Sequence, residues 1–142
     1  MTPHFTLEEM TVTQVRGWDN TPSPEVETAL LATATHLEDV RTLLNKPITI
    51  TSGYRSVKVN KVVGGAPNSA HITGNAVDFI CPKFGTPLEI CIAIEKSPLM
   101  FDQLIQEGTW VHLSFAPTAR RNVITKTKTG YVAGLTKETR NA

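Results

Sequence analysis

The sequence predicts an α+β domain with a central antiparallel sheet and helices packed on one side. Helical spacing dominates the first half of the chain, short alternating segments dominate the second, and the connections are too short for repeated β-α-β crossovers. At 142 residues and 15.5 kDa there is room for one domain, residues 1–142. An N-terminal arm, 1–22, precedes the first long helix, and a basic segment, 116–142, closes the chain.

Thr21-Pro-Ser-Pro24 ends the arm and begins that helix, with Ser23 as N-cap and Pro24 in the first turn, where its missing N–H does no harm. Val26, Leu30, Leu37, Val40 and Leu44 then recur at helical spacing and form the core-facing stripe. His36 lies at the margin of the stripe and reads as a partly buried structural histidine. Pro47 stops the helix, and Ile48 to Thr51 alternates as a strand ending at Ser52-Gly53. Val57 to Val63 makes a short helical turn closed by Gly64-Gly65, and a polar loop follows. Asn75 to Ile80 alternates as the next strand. Thr86 and Glu89 form a capping box ahead of the apolar run Ile90 to Ile94, and Ser97-Pro98 ends that helix. The remaining segments read as strands: Phe101 to Gln106, Trp110 to Phe115, Asn122 to Lys126 and Tyr131 to Ala133, with turns at Gly108 and Gly130.

Composition excludes several function classes. Forty per cent hydrophobic and 19% charged residues are those of an ordinary globular protein. A net charge of +1 lacks the basic surplus of a protein that neutralises phosphates, so no nucleic acid is expected as a partner. From Ala116 onward, however, six bases face one acid, which makes this segment +5 and leaves the rest at −4. It reads as a solvated edge or as a source of weak attraction to an anionic polymer. Cys81 and Cys91 have neither redox nor zinc-motif spacing and read as small buried hydrophobes. No signal-peptide pattern and no long apolar run occur, so the expectation is cytoplasmic synthesis without an export signal and no membrane insertion. A monomer is expected.

Phosphate-binding glycine patterns and the common serine-nucleophile signatures are missing, which leaves metal chemistry. Asp78 stands inside an otherwise apolar strand, where neither face is polar and a lone carboxylate would cost several kcal/mol. It needs a cation or several donors. His71 sits at the end of the polar loop, and Gly74 permits the reversal that brings the two together. His112, centred in Trp110 to Phe115, is a second anomaly of this kind. Two imidazoles and a carboxylate form a three-ligand set for catalytic zinc, with water in the fourth position. By residue type alone, the same three can also be a structural hydrogen-bonded pair and a bystander, and the spacing does not decide between the two.

Ser69-Ala-His71-Ile-Thr-Gly74-Asn-Ala76-Val-Asp78 fits S-x-H-x-x-G-x-A-x-D at every specified position, with Ser52-Gly-Tyr-Arg-Ser56 upstream and Trp110-Val-His112 downstream. From about Phe5 to Leu135 the chain resembles the zinc D-alanyl-D-alanine metallopeptidases. That group includes VanX- and VanY-type carboxypeptidases and phage endolysin peptidases, and it shares its fold with hedgehog domains. The resemblance implies a hedgehog/DD-peptidase-like fold of the compact phage type, with His71, Asp78 and His112 holding Zn2+. It implies that Arg55 grips a substrate carboxylate, for which a planar guanidinium is suited, and that Ser69 lines the substrate pocket. The acid that these enzymes place about three residues before the last histidine is Thr109 here. Glu107 is the nearest acid and the expected general base, with Asp102 as the fallback. The implied activity is hydrolysis of peptidoglycan peptides, at a D-Ala-D-Ala terminus or within a stem peptide or cross-link, by a phage or prophage lysin. Such a protein reaches the wall or periplasm by holin-type release or virion delivery, and its basic segment offers weak attraction to an anionic envelope. A non-hydrolytic zinc-binding module or a structural virion protein on the same fold is the alternative.

Overall fold

The computed structural model describes residues 1–137. The elements run α1 (Leu7–Met10), α2 (Pro24–Leu44), β1 (Thr49–Ser52), α3 (Val57–Val62), β2 (Ala76–Ile80), α4 (Pro87–Lys96), β3 (Gln103–Gln106), β4 (Val111–Ser114), β5 (Asn122–Thr127) and β6 (Gly130–Ala133). The α+β class holds, with one six-stranded sheet ordered β1-β2-β4-β3-β5-β6. Helices α2 and α4 pack together, and α4 packs against β3 and β4.

Local chemistry sets the helix ends. Ser23 Oγ accepts from Val26 N–H to start α2, and Asn45 ends it in the left-handed conformation at φ 53°. Leu30, Leu37, Val40 and Leu44 of the expected stripe are buried and Ala34 joins them, whereas Val26, in the first turn, is only half-buried against the core. His36 differs from expectation: it is exposed, one position before Leu37, and its ring stacks on Phe115 with centroids 5.0 Å apart. The Thr86–Glu89 capping box starts α4. Within the arm, a second capping box, Thr6 with Glu9, starts α1, which the periodicity did not predict. Cys81 and Cys91 are both free and buried.

The sheet departs from a purely antiparallel expectation in one pair, since β3 and β5 run parallel. Ser114, at the end of β4, and Asn122, at the start of β5, both pair with Gln103. The 115–121 connection therefore crosses the end of β3 and reverses the chain relative to β4. Because β3 is already antiparallel to β4, β5 comes out parallel to it.

Strand parity divides the sheet into two chemically different faces. Val77, Phe79, Leu104, Val111 and Leu113 enter the core with the helix stripes. Asp78 and His112 take the opposite face, where the register pairs them directly and pairs Ile105 with His112 in turn. On the other side of Asp78, a bulge between Ile50 and Ser52 sets Ser52 opposite it.

Candidate metal centre

Three side chains converge on one point of this second face. His71 Nε2 lies 3.2 Å from Asp78 Oδ1 and 3.2 Å from His112 Nδ1, and His112 Nδ1 lies 3.0 Å from Asp78 Oδ1. The β2–β4 register brings Asp78 and His112 together, and the loop before β2 delivers His71. Gly74 makes that loop possible: its φ of +80° belongs to the left-handed region that favours glycine. Ser69 Oγ accepts from His71 N–H at 3.2 Å, and Arg55 N–H donates to His71 O at 3.0 Å, so the histidine backbone is held from two directions.

The protonation pattern follows from the neighbours. His71 Nδ1 is 2.8 Å from the Gly53 carbonyl, which only accepts, so the proton of the neutral ring sits on Nδ1 and Nε2 presents a lone pair. Burial pushes the His71 imidazole below its ordinary pKa against the pull of Asp78, favouring the neutral form. Burial would also raise the Asp78 carboxyl, but the two histidines outweigh it by charge and hydrogen bonding and hold it well below the usual carboxylate range. A lone pair, a carboxylate oxygen and a second imidazole nitrogen thus face one another with little solvent. A single proton on His112 Nδ1 satisfies part of this triangle; a cation at its open side satisfies all three atoms.

The geometry fits zinc. Ligand atoms at about 2.0–2.2 Å in a tetrahedral set stand roughly 3.3–3.6 Å apart, a few tenths of an ångström wider than the 3.0–3.2 Å edges here. The His71 contact to the Gly53 carbonyl is the outer hydrogen bond that orients metal-binding imidazoles. Arg55 supplies a second such contact, with Nη2 3.3 Å from Asp78 Oδ2, which leaves Oδ1 to the histidines. Its Nε donates to Ser52 Oγ at 3.3 Å and its Nη1 to Asn60 Oδ1 at 3.2 Å. Asn60 is itself buried and donates to Ala66 O at 2.9 Å. Gly65 is required where it stands, because a Cβ there would lie 2.1 Å from Asn60 Oδ1.

Residues 3–114 match the family described as Peptidase M15, a span that contains the whole triangle and Arg55. The chain belongs to the peptidase M15 family. Over 34 residues, 24% of this chain, it is 56% identical to the zinc D-Ala-D-Ala carboxypeptidase of Streptomyces albus G, and that stretch is 13% of the relative. The chain therefore covers a small part of this relative, and β5 and β6 lie beyond the family match.

Around the triangle of this M15 member runs a groove of about 1240 Å³. Arg55, Ser69 and Glu107 all line it. Glu107 is buried, and its N–H donates to Trp110 O at 3.1 Å, which extends the β3–β4 ladder past Ile105 and His112. It therefore lies one residue past the end of β3, two from Ile105, and lines the same groove as His112. Thr109 is exposed in the turn between the strands. The fallback acid, Asp102, also lines the groove but is occupied: Arg120 Nε and Nη2 reach its two oxygens at 2.8 and 2.9 Å, and the Thr118 hydroxyl donates to it. Those contacts, Arg120 foremost, hold its carboxyl down at about 2. A base so matched has little drive to take a proton.

The basic segment is less free than its sequence implies. Arg121 donates to the carbonyls of Ile94, Glu95, Ser97 and Leu99 at 2.8–3.4 Å, and its guanidinium lies 4.5 Å from the Phe101 ring centre. It caps the C-terminal end of α4, where a cation is favoured. Lys128 and Lys137 are exposed, whereas Arg140 and Glu138 lie outside the described residues. The sequence marked Ser52 and Gly53 only as part of the upstream motif, without a role, and did not mark Asn60; all three position site residues. Among the described residues no helix is long and apolar enough to cross a membrane.

Proposed function

We propose that this chain is a zinc-dependent peptidase that hydrolyses peptides of the bacterial cell wall. The observation that carries the reading is the His71–Asp78–His112 triangle, three mutually facing ligand atoms within a peptidase family. The printed name of the Streptomyces relative, a zinc D-Ala-D-Ala carboxypeptidase, supports wall peptides as the substrate class. His71, Asp78 and His112 would hold the ion, which when bound supplies Lewis acidity and a water acidified toward neutral pH. Arg55 holds Asp78 in register and contributes hydrogen bonds to the peptide lying in the groove. Ser69 fixes the loop that forms one wall. Glu107 takes a proton from the attacking water and returns it to the leaving amine, the part a buried carboxylate at a groove wall can play. A role as a phage or prophage lysin, reaching the wall by holin-type release or on a virion, rests on the resemblance to compact phage-type members. Attraction to an anionic envelope would fall to Lys128 and Lys137 more than to Arg120 and Arg121.

The test is incubation of zinc-loaded protein with purified peptidoglycan, with mass analysis of the released fragments. New peptide termini are expected, lost on chelation and restored by zinc. Glu107→Gln should retain one zinc per chain and lose about 10²–10⁴-fold in rate, the span of general acid–base catalysis. The absence of an acid at Thr109 favours one second reading, a zinc-binding module without hydrolysis. Full zinc occupancy with no released fragment in the unmodified protein would establish that reading instead.

A further inference from the structure

Residues 53–56, the link between β1 and α3, belong to neither element, yet they carry Arg55. Their backbone N–H groups must therefore be satisfied from elsewhere. Gly53 N–H donates to Val12 O at 3.0 Å and Tyr54 N–H to Met10 O at 2.8 Å, Arg55 N–H goes to His71 O, and Ser56 N–H donates to Asn20 Oδ1 at 2.7 Å. Three of these partners belong to the N-terminal arm. The approach is close enough that a Cβ at Gly53 would lie 2.1 Å from Met10 O.

Within the arm, Asn20 does what no single backbone group can. Its half-buried amide closes three bonds at once: besides the bond from Ser56 N–H, Nδ2 donates to Thr11 O and to Tyr54 O, both at 2.9 Å. Two donors and an acceptor on one planar end are an amide's inventory, which neither an acid nor a hydroxyl supplies. Tyr54 O and Ser56 N–H belong to the two peptide units that Arg55 joins, so one side chain fixes the backbone on both sides of the arginine. The bond to Thr11 O ties both units to the arm. Ser56 also caps α3, where its hydroxyl accepts from Val59 N–H at 3.2 Å, and α3 carries the Asn60 amide that holds Arg55 Nη1. Asn20 does not line the groove around the triangle, so it acts there only through other residues.

We propose that Asn20 is a positioning residue of the metal centre. It sets the backbone from which Arg55 reaches Asp78 Oδ2, and with it the direction in which Oδ1 faces the two imidazoles. The role rests on the zinc-binding reading of the triangle given above. It makes the N-terminal arm part of the site and not a lead-in to α2.

Zinc affinity, measured by competition with a chromogenic chelator well below the Tm of each variant, tests this role. Asn20→Ala should weaken zinc binding by about 3–10-fold, less than the 10–100-fold expected of a residue that itself touches a ligand. The same change made in Arg55→Ala should weaken it by less than about twofold, because the residue through which Asn20 acts is gone. Ser23→Ala, which removes the cap of α2 just after the arm, should lower Tm and leave zinc affinity unchanged. Where the alanine variant does not fold, Asn20→Asp takes its place: the carboxylate keeps the size and the acceptor for Ser56 N–H but has neither donor, and the same weakening is expected. A loss confined to Tm, as in Ser23→Ala, would overturn the proposal and leave the zinc reading standing, and so would an equal fold-loss of affinity with and without Arg55. No zinc binding by the unmodified protein would overturn both.

Discussion

Asp78 with Arg55 and Asp102 with Arg120 are both aspartate–arginine pairs lining one groove, yet their geometries assign them opposite work. Arg120 approaches Asp102 through two nitrogens and occupies both oxygens, while its own side chain remains 58% exposed. That carboxylate is satisfied. Arg55 touches Asp78 through a single nitrogen on Oδ2, and spends its other nitrogens on Ser52 and Asn60. Oδ1 is thereby left facing two imidazoles on a buried carboxylate. An arginine that fills a carboxylate makes a clasp, and one that fills half of it makes a ligand.

The largest expected effect comes from breaking the half-filled pair at the aspartate. Asp78→Ala should bring zinc content to background and abolish hydrolysis, read by elemental analysis and by fragment release. It should also uncouple stability from zinc. In the unmodified protein, zinc at about 100 times its Kd adds about 2.7 kcal/mol, visible as a rise in Tm, and the variant should show none. A zinc-dependent Tm in Asp78→Ala would remove Asp78 from the ligand set. His71→Ala should behave in the same way, since it removes one corner of the same triangle.

A smaller loss is expected at the arginine. Arg55→Ala frees Asp78 Oδ2 and lets the carboxylate rotate away from the histidines, so zinc affinity should fall about 10–100-fold, the usual cost of an outer-shell partner. Competition with a chromogenic chelator measures it. Arg55→Lys keeps the charge but cannot reach Ser52, Asn60 and Asp78 together, so it should recover only part of the affinity. Unchanged affinity in Arg55→Ala would confine the residue to substrate contact.

How much of this contrast could be read from the sequence differs between the two pairs. Asp78 and His71 stand seven residues apart around a glycine turn, and an acid within an apolar strand marks itself by its cost. His112 was marked in the same manner, but only the β2–β4 register, a contact between distant segments, puts it opposite Asp78. The four-residue α1 was too short to show a period, although Thr6 and Glu9 spell its capping box. Ser52, Gly53 and Asn60 act through one hydroxyl, one carbonyl and one amide, and nothing in their local sequence says what those groups meet. Arg120 and Arg121 read as part of a +5 solvated edge because a charge count gives sign without partner. Their partners, Asp102 and the end of α4, are set by the 115–121 crossing, the same connection that makes β5 parallel to β3 and that local alternation could not foresee.

Asp102 should therefore matter to stability more than to metal. Its N–H donates to Ser114 O and its carbonyl accepts from Asn122 N–H, while its side chain holds Thr118 and Arg120, so it fastens the crossing segment to the ends of β3, β4 and β5. Asp102→Asn keeps the size and the backbone bonds and removes the charge. Zinc content should be unchanged, and Tm should drop by the least of the effects considered, because the arginine is largely in water. The pH dependence identifies the cause. The folded carboxyl titrates at about 2, below its unfolded value of about 3.9. The clasp therefore contributes fully above about pH 4 and is lost as pH falls through the folded value. The Tm difference between the unmodified protein and Asp102→Asn should be full at pH 6, shrink below pH 4 and be largely gone by about pH 2. Arg120→Ala should trace the same curve. A Tm difference that stays constant down to the acid limit would mean that Asp102 acts by shape and not by charge, and the contrast between the two pairs would then reduce to Asp78 alone.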